Sequence, residues 1–290
     1  MKRIIAAILL LCMGLTLAAC GKVEITMQEI YDANQTEVLL ENHQSVYIRD
    51  EMGDDFWCEK YLTRDYFFDY FPDEEFAWME FITDDVRYYY VSGDSLLYLF
   101  ITPDGVGNFA SERAERSAMV ALMEDAADYT IESLSKKDGR IAVTSVLSQK
   151  ALDVLAEDGV TSGKIEFVLD AKTHEILSLN SGYTFEDGTD YNTGTKVTYD
   201  AEAPEALKTF LAYVNQTENL RNVTVVSNPG TDKEETKSIQ APKGLIIGFE
   251  YDDETGYTAE FYTDAACTEN YDPYADTDSD LTIYVKWIRA

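Results

Sequence analysis

Apolar residues recur along this chain with two different periods, and together they predict an α+β fold. Short segments rich in aromatic and β-branched residues, separated by turn signals, run from residue 45 to residue 101. Segments of this kind predict the strands of an antiparallel meander. Apolar residues four apart then predict an amphipathic helix over 111–133. The remaining predicted elements are helices at 148–158 and 204–214 and strands at 141–147, 164–170, 175–179 and 196–199. This order indicates a curved antiparallel sheet with helices packed on one face.

Local signals mark the ends of two of the shorter predicted helices. Thr26 is followed three residues later by Glu29, which is the pattern of a capping box. Gly159 directly follows the predicted helix 148–158, in the position where glycine often ends a helix.

The first twenty residues have the layout of an export signal. Lys2 and Arg3 precede an apolar run, Ile4 to Thr16, that is too short to span a bilayer. Small residues follow and end at Cys20. A basic start, a short apolar run and a small-residue end predict export from the cytoplasm.

The residues Leu17, Ala18, Ala19 and Cys20, followed by Gly21, resemble the lipobox of bacterial lipoproteins. In that family signal peptidase II recognises these positions, and the thiol matching Cys20 receives a diacylglyceryl group carrying palmitate-type chains. The resemblance implies a lipid-anchored protein on the extracytoplasmic face of a Gram-positive-type cell membrane. Two acyl chains anchor stably, at about 0.8 kcal/mol per buried methylene. An ordinary secretory signal in which Cys20 falls by chance is the alternative.

The charge of the chain excludes some partners and points to others. The sequence has 23 basic and 54 acidic residues, which gives a net charge of −31. Nucleic acid is therefore excluded as a partner, because binding phosphates needs clustered cations. Electrostatic attraction to an anionic membrane is excluded for the same reason. The hydrophobic share of 46% and the aromatic share of 12% are nevertheless too high for a disordered chain.

Candidate catalytic and metal-binding motifs are weak. Cys58 and Cys267 are far apart in sequence, and His43 and His174 are the only histidines. No metal, cofactor or catalytic residue is predicted, and the chain is expected not to be an enzyme. The segment 105–110 fits a dinucleotide-binding pattern but is interpreted as a glycine-rich turn, because the flanking strands are predicted to be antiparallel.

Part of the chain resembles the LolA/LppX-type lipoproteins. The resemblance rests on the strand pair 164–179, the Asp-Gly turn at 187–188 and the final Val-Thr-Tyr-Asp at 197–200. It implies an unclosed half-barrel whose concave face shelters acyl chains or another apolar ligand. Aromatic residues are the candidates for lining such a pocket, namely Phe67, Phe68, Trp78, Tyr88, Tyr90 and Tyr98. The alternative is that these residues simply fill the core between sheet and helix.

The C-terminal residues resemble the internalin-B-type B repeat. The similar positions are Phe261–Thr268, Tyr271-Asp272 and Ser279–Trp287. Alternation in the last segment places Leu281, Ile283, Val285 and Trp287 on one face of a strand. The resemblance implies a small β-grasp-like domain, used in surface proteins as a spacer or contact module and not as an enzyme.

The predicted domain organisation follows from these segments. It consists of a signal peptide (1–19), a tether and first helix (20–35), a LolA/LppX-like α+β domain (36–214), a linker (215–221) and a B-repeat-like β domain (222–290). The function expected from this organisation is binding of an apolar or lipid ligand by a lipid-anchored surface protein. The alternative is a surface adhesion protein that contacts the cell wall or another protein and holds no small ligand.

Overall fold

The computed structural model describes residues 24–52, 56–72, 77–91, 94–118, 123, 125–251, 256–275 and 277–289. The predicted leader and Cys20 lie outside the described residues. The helices are α1 (Met27–Ala33), α2 (Thr36–Asn42), α3 (Ala110–Ala118), α4 (Gln149–Leu155) and α5 (Glu205–Val214). The strands are β1 (Val46–Met52), β2 (Phe56–Leu62), β3 (Tyr66–Phe71), β4 (Trp78–Thr83), β5 (Arg87–Val91), β6 (Asp94–Thr102), β7 (Gly105–Val106), β8 (Tyr129–Lys137), β9 (Arg140–Leu147), β10 (Val160–Asp170), β11 (Ile176–Phe185), β12 (Asp190–Tyr199), β13 (Leu220–Ser227), β14 (Glu235–Pro242), β15 (Ile246–Glu250), β16 (Tyr257–Tyr262) and β17 (Leu281–Arg289).

The predicted α+β class is confirmed, because most strand pairs are antiparallel and helices pack against them. The chain divides into two compact units. The small unit combines the residues up to Ala33 with Met123–Asp190, and the large unit combines Asn34–Leu122 with Tyr191–Ala290. Among the described residues, no helix has both the length and the apolar character needed to cross a membrane.

The small unit is an antiparallel sheet in the order β8-β9-β10-β11, with α1 and α4 packed against it. Alternation along β10 buries Ile165, Phe167 and Leu169, and Phe167 lies directly opposite the buried Val143 of β9. Ile30 of α1 is also completely buried. This unit therefore has a core of its own.

Both predicted helix-end signals in the small unit are confirmed. The Glu29 backbone N–H donates to Thr26 Oγ1 at 3.1 Å, and the Thr26 N–H donates to Glu29 Oε2 at 2.8 Å, which completes the capping box. A 3-10 turn extends α4 to Asp158, and Gly159 then adopts a φ of 80°. A left-handed residue ends a helix in this way, and glycine adopts it without steric cost.

The large unit is built on a sheet in the order β12-β1-β2-β3-β4-β5-β6-β15. Every pair is antiparallel except β6 with β15, which run parallel. One row of directly opposed residues crosses the middle of this sheet. We call it the core row, and it consists of Tyr61, Phe68, Phe81, Tyr88 and Leu97, all of them buried.

Residues far along the chain cover the core row. Leu207 of α5 is fully buried against it. A second, four-stranded sheet in the order β14-β13-β17-β16 adds Val223 of β13 and Ile283 and Val285 of β17 to the same core. The predicted alternation in the last strand is therefore confirmed. The Asn228-Pro229-Gly230 segment forms a turn, with positive φ at Asn228 and Gly230.

The predicted helix over 111–133 is wrong in its second half. Helix α3 ends at Ala118, and residues 129–137 form strand β8. β-Branched and aromatic residues such as Tyr129, Thr130 and Ile131 favour the strand, and β9 offers antiparallel partners for it. Tertiary pairing therefore outweighs the four-residue spacing of alanines that suggested a helix.

The compact units do not follow the predicted domain boundaries. The predicted linker 215–221 lies within the large unit, and β15 from the predicted C-terminal domain pairs with β6. Residues 123–190, assigned by sequence to the middle of the LolA/LppX-like domain, form the small unit instead. The reason is that α5 and β13 bury their apolar residues on the core row, whereas the small unit fills its own interior.

Helices lie on both faces of the large unit's sheet. The ring of Phe210 in α5 lies 5.1 Å from the ring of Phe81 on the core-row face. On the opposite face, Glu112 of α3 lies 3.1 Å from Arg87, and Arg116 lies 3.7 Å from Glu80. The two faces therefore differ in chemistry, one aromatic and one charged.

The charged face carries a partly buried carboxyl with poor compensation. Asp69 of β3 lies directly opposite Lys60 on one side and Glu80 on the other. Lys60 is 2.8 Å from Asp50, and Arg87 is 2.6 Å from Glu80. Within the described chain, Asp69 Oδ1 has no hydrogen-bond partner. Burial, together with the negative charges of Glu80 and Asp50, raises the pKa of Asp69 to about 6.

We expect Asp69→Asn to stabilise the protein, and more strongly at alkaline than at acidic pH. Because the folded-state pKa lies above the ordinary value of 3.8, the stability that this carboxyl contributes is full below that value and is lost as the pH rises through about 6. Asp69→Asn should raise the free energy of unfolding by about 3 kcal/mol at pH 8 and by about half of that at pH 5. Urea unfolding at both pH values measures it. The exposed Asp65→Asn variant is the control, and an equal effect of the two substitutions would contradict the prediction.

Candidate functional site

A cavity of about 710 Å³ lies between α5 and the aromatic face of the large unit's sheet. Its walls are mainly apolar, with Met79 and Leu245 among them. The aromatic residues that line it are Trp57, Tyr70, Tyr88, Tyr89, Tyr90, Phe210 and Tyr213.

The floor of this cavity is the row of residues next to the core row. Strand register places Glu59 opposite Tyr70, Tyr70 opposite Met79, Met79 opposite Tyr90, and Tyr90 opposite Ser95. We call these five residues the floor row. They lie two positions along each strand from the core row, so they share its face at a distance of about 6.6 Å. All five line the cavity.

Helix α5 provides the roof and the rim. Ala206 and Phe210 are partly buried and face the cavity. Glu205, Thr209 and Tyr213, four residues apart, form an exposed stripe that also borders it. The cavity is therefore lined by aromatic groups inside and opens to solvent along one side of a helix.

A single buried carboxyl lies in the floor row. Glu59 is 6% exposed and accepts a hydrogen bond from the Tyr47 hydroxyl at 3.0 Å. Burial raises the pKa of Glu59, whereas the Tyr47 bond and the charge of Arg49 act in the opposite direction. The net shift is upward, so the carboxylate is incompletely compensated by its own neighbours.

The nearest cation to this carboxyl is held by other groups. The Arg49 guanidinium lies 4.1 Å from the centroid of the Trp57 ring, in a cation–π contact. It also lies 3.6 Å from Glu51. Arg49 does not line the cavity, and the charged side chains among the described lining residues are Glu59 and Glu205.

Two of the six aromatic residues named from sequence line this cavity. Tyr88 and Tyr90 do so. Phe67 and Phe68 are 2% and 0% exposed and fill the interior on opposite faces of the sheet. Trp78 and Tyr98 do not line the cavity, and Tyr98 lies near Arg87 on the charged face.

Sequence reasoning missed the carboxyl and the residues of α5. Alternation along 56–62 places Trp57, Glu59 and Tyr61 on one face, which is a weak but readable signal of a polar residue inside an apolar row. Phe210 lies on the apolar side of the predicted helix 204–214. The sequence does not show that this side of the helix packs on β2–β5, because the packing joins residues that are more than a hundred positions apart.

A second cavity, of about 870 Å³, is polar and has a structural explanation. In its wall His43 Nδ1 lies 2.9 Å from Asp200, and the Arg64 Nε donates to the Leu40 carbonyl at 2.9 Å. Asp200 also accepts from the Gln44 backbone N–H at 2.8 Å, and its pKa is lowered by these bonds. These contacts fix the chain between α2 and β1.

No group of three or more potential metal ligands occurs among the described residues. Asp280 accepts hydrogen bonds from the Asn222 backbone and side-chain amides at 2.7 and 3.1 Å. Gly105 and Val106 pair antiparallel with the end of β6, in agreement with a turn rather than a dinucleotide site.

Comparison with known proteins gives only distant structural likeness. No protein-family model matches the chain, and no curated protein matches it. It is similar to the Mycobacterium tuberculosis lipoprotein LppX (TM-score 0.30, 9% identity, covering 61% of this chain and 97% of LppX). It is also similar to MucB (TM-score 0.27, 14% identity, 62% of this chain and 60% of MucB). The Pseudomonas aeruginosa MucA/MucB complex gives a TM-score of 0.22 at 14% identity, covering 61% of this chain and 60% of that one. Because these TM-scores are below 0.5, the function is inferred from the cavity itself.

We expect Leu207→Ala to lower the free energy of unfolding by about 2–5 kcal/mol, because it leaves a void against the core row. The matched change Thr209→Ala, on the exposed stripe of the same helix, should cost less than about 0.5 kcal/mol. Urea unfolding monitored by circular dichroism measures both. Similar losses in the two variants would show that α5 does not seal the core in the way described.

Proposed function

We propose that this protein is a lipid-anchored surface protein that binds an apolar ligand in the cavity beneath α5. The observation that carries the proposal is a cavity of about 710 Å³ with an aromatic floor and an open rim. Small-molecule sites typically measure about 300–1,000 Å³ and combine apolar walls with a few polar groups.

The surrounding packing supports a binding role for this space. Protein interiors seldom contain voids larger than a water molecule. Next to the cavity the core row is closely packed, since Phe68 and Leu97 are completely buried. A space of this size beside a filled core is better explained as a site than as a packing defect.

The LolA/LppX-type interpretation and the B-repeat interpretation belong to this proposal. An antiparallel sheet with a helix against one aromatic face suits the sheltering of acyl chains or another apolar ligand. The B-repeat-like residues 222–290 would serve as a contact module toward the cell wall or a protein partner. No catalytic role is proposed for either part.

Binding can be tested with the fluorescent apolar probe N-phenyl-1-naphthylamine and the purified protein. We expect saturable fluorescence enhancement, and at least a tenfold loss of affinity in Ala206→Phe, because the new ring occupies the cavity. Ala212→Phe adds the same side chain to an exposed position of α5 and should bind within twofold of the unsubstituted protein.

A fully folded protein that gives no enhancement would contradict the binding function and favour the surface-contact alternative. Equal affinities of Ala206→Phe and Ala212→Phe for the probe would show that the probe binds outside this cavity. Circular dichroism of each variant shows whether the fold is retained.

The proposed anchor depends on Cys20 and has its own test. Cells grown with a clickable palmitate should label the protein and carry it in the membrane fraction. Cys20→Ser should abolish the label and release the protein from membranes. Cys12→Ser is the matched control, because a residue in the leader is removed on cleavage, and it should retain both properties. Membrane retention of an unlabelled Cys20→Ser protein would overturn the anchor.

A further inference from the structure

We propose that the cavity beneath α5 selects apolar ligands that carry a positive charge, of the alkylammonium class, over neutral or anionic ones. This inference rests on the proposed binding function and adds the chemistry of the ligand's polar end. It is drawn from the charges, aromatic faces and hydrogen bonds around the cavity.

The first argument is the carboxyl in the floor. Glu59 is 6% exposed and lies among Trp57, Tyr70 and Met79 in the apolar part of the lining. Tyr47 donates one hydrogen bond to it. Burying a carboxylate is costly unless it is paired, and here the effect of burial exceeds that of Tyr47 and Arg49 together. A cation entering the cavity would supply the missing compensation, whereas an anion would add repulsion.

The second argument is the rim. Glu205 borders the opening and lies in the first turn of α5. The start of a helix carries a partial positive charge that would otherwise favour an anion. A carboxylate in the first turn offsets that charge, so the entrance is negative as well as the floor.

The third argument is the aromatic surface. The faces of aromatic rings are electron-rich and attract cations within about 6 Å of the ring centre, more strongly in a site that excludes water. Tyr70, Tyr88, Tyr90 and Phe210 line the same cavity as Glu59. Arg49, which does not line the cavity, makes such a contact with the ring of Trp57 at 4.1 Å.

The charge of the whole chain acts in the same direction. A net charge of −31 produces a negative potential that attracts cationic ligands and repels fatty acids. This long-range effect is screened by salt, whereas the contact with buried Glu59 is screened much less. Selectivity that survives physiological salt therefore has to come from the cavity.

The test is competition against N-phenyl-1-naphthylamine by decyltrimethylammonium, decanol and decanoate at 150 mM salt, each below its micelle concentration. The three probes share an apolar chain and differ in charge. We expect decanol to displace the probe, decyltrimethylammonium to bind at least tenfold more tightly than decanoate, and Glu59→Gln to reduce that preference at least fivefold. Glu205→Gln, an exposed and structurally tolerant change, should reduce it by about twofold. Glu218→Gln removes an exposed charge that does not line the cavity and should leave it unchanged.

The outcomes separate the two proposals. Failure of all three compounds to displace the probe would overturn the binding function. Displacement by decanol with no preference for the cation would leave that function intact and overturn this inference. A preference that both Glu59→Gln and Glu205→Gln leave unchanged would also overturn it, because the selectivity would then come from net charge alone. If Glu59→Gln does not fold, the cation preference of Glu205→Gln is compared with that of Glu218→Gln. Equal preferences in these two variants would overturn the inference.

Discussion

The large unit depends on covering one aromatic sheet face with residues that come late in the chain. The core row of Tyr61, Phe68, Phe81, Tyr88 and Leu97 presents large apolar surfaces that strands β2–β6 cannot bury among themselves. Leu207, Val223 and Ile283 provide the cover. Each fully buried side chain of this size contributes about 1.5–3 kcal/mol. The compact unit therefore joins two distant stretches of sequence, and its boundaries follow the core instead of the linear order of motifs.

The same arrangement explains why a cavity lies where it does. A helix with its side chains is about 10 Å across, and Leu207 of α5 is buried in the same cluster as the core row. The floor row lies about 6.6 Å further along the strands, at the margin of what α5 covers. Ala206 faces this margin with a small side chain. Space remains above Glu59, Tyr70 and Tyr90, whereas none remains above Phe68.

Features that depend on neighbouring residues were predicted from the sequence, whereas features that depend on long-range strand pairing were not. The capping box of Thr26 and Glu29 and the left-handed Gly159 depend on neighbouring residues, and both were predicted. The helix proposed across 111–133 failed over residues 129–133, because its outcome there depends on whether β9 offers partners to Tyr129–Lys137. Tyr88 and Tyr90 were named from their aromatic character, but the floor row also needs the register of four strand pairs. The periodicity of apolar residues in a single sequence does not show which residues of neighbouring strands lie opposite each other.

Buried charge occurs on both faces of the sheet, and the surroundings of Glu59 support a functional interpretation of that carboxyl. On the face opposite the core row, two carboxylates have cationic partners within the protein, whereas Asp69 is poorly compensated. Glu80 pairs with Arg87 at 2.6 Å, and Asp50 pairs with Lys60 at 2.8 Å. On the aromatic face Glu59 accepts from a neutral tyrosine, and the adjacent Arg49 is engaged with Trp57 and Glu51. A buried carboxylate without a direct cationic partner costs stability. Its position in the floor of an open, apolar cavity is therefore better explained by what it does for a ligand than by what it does for the fold.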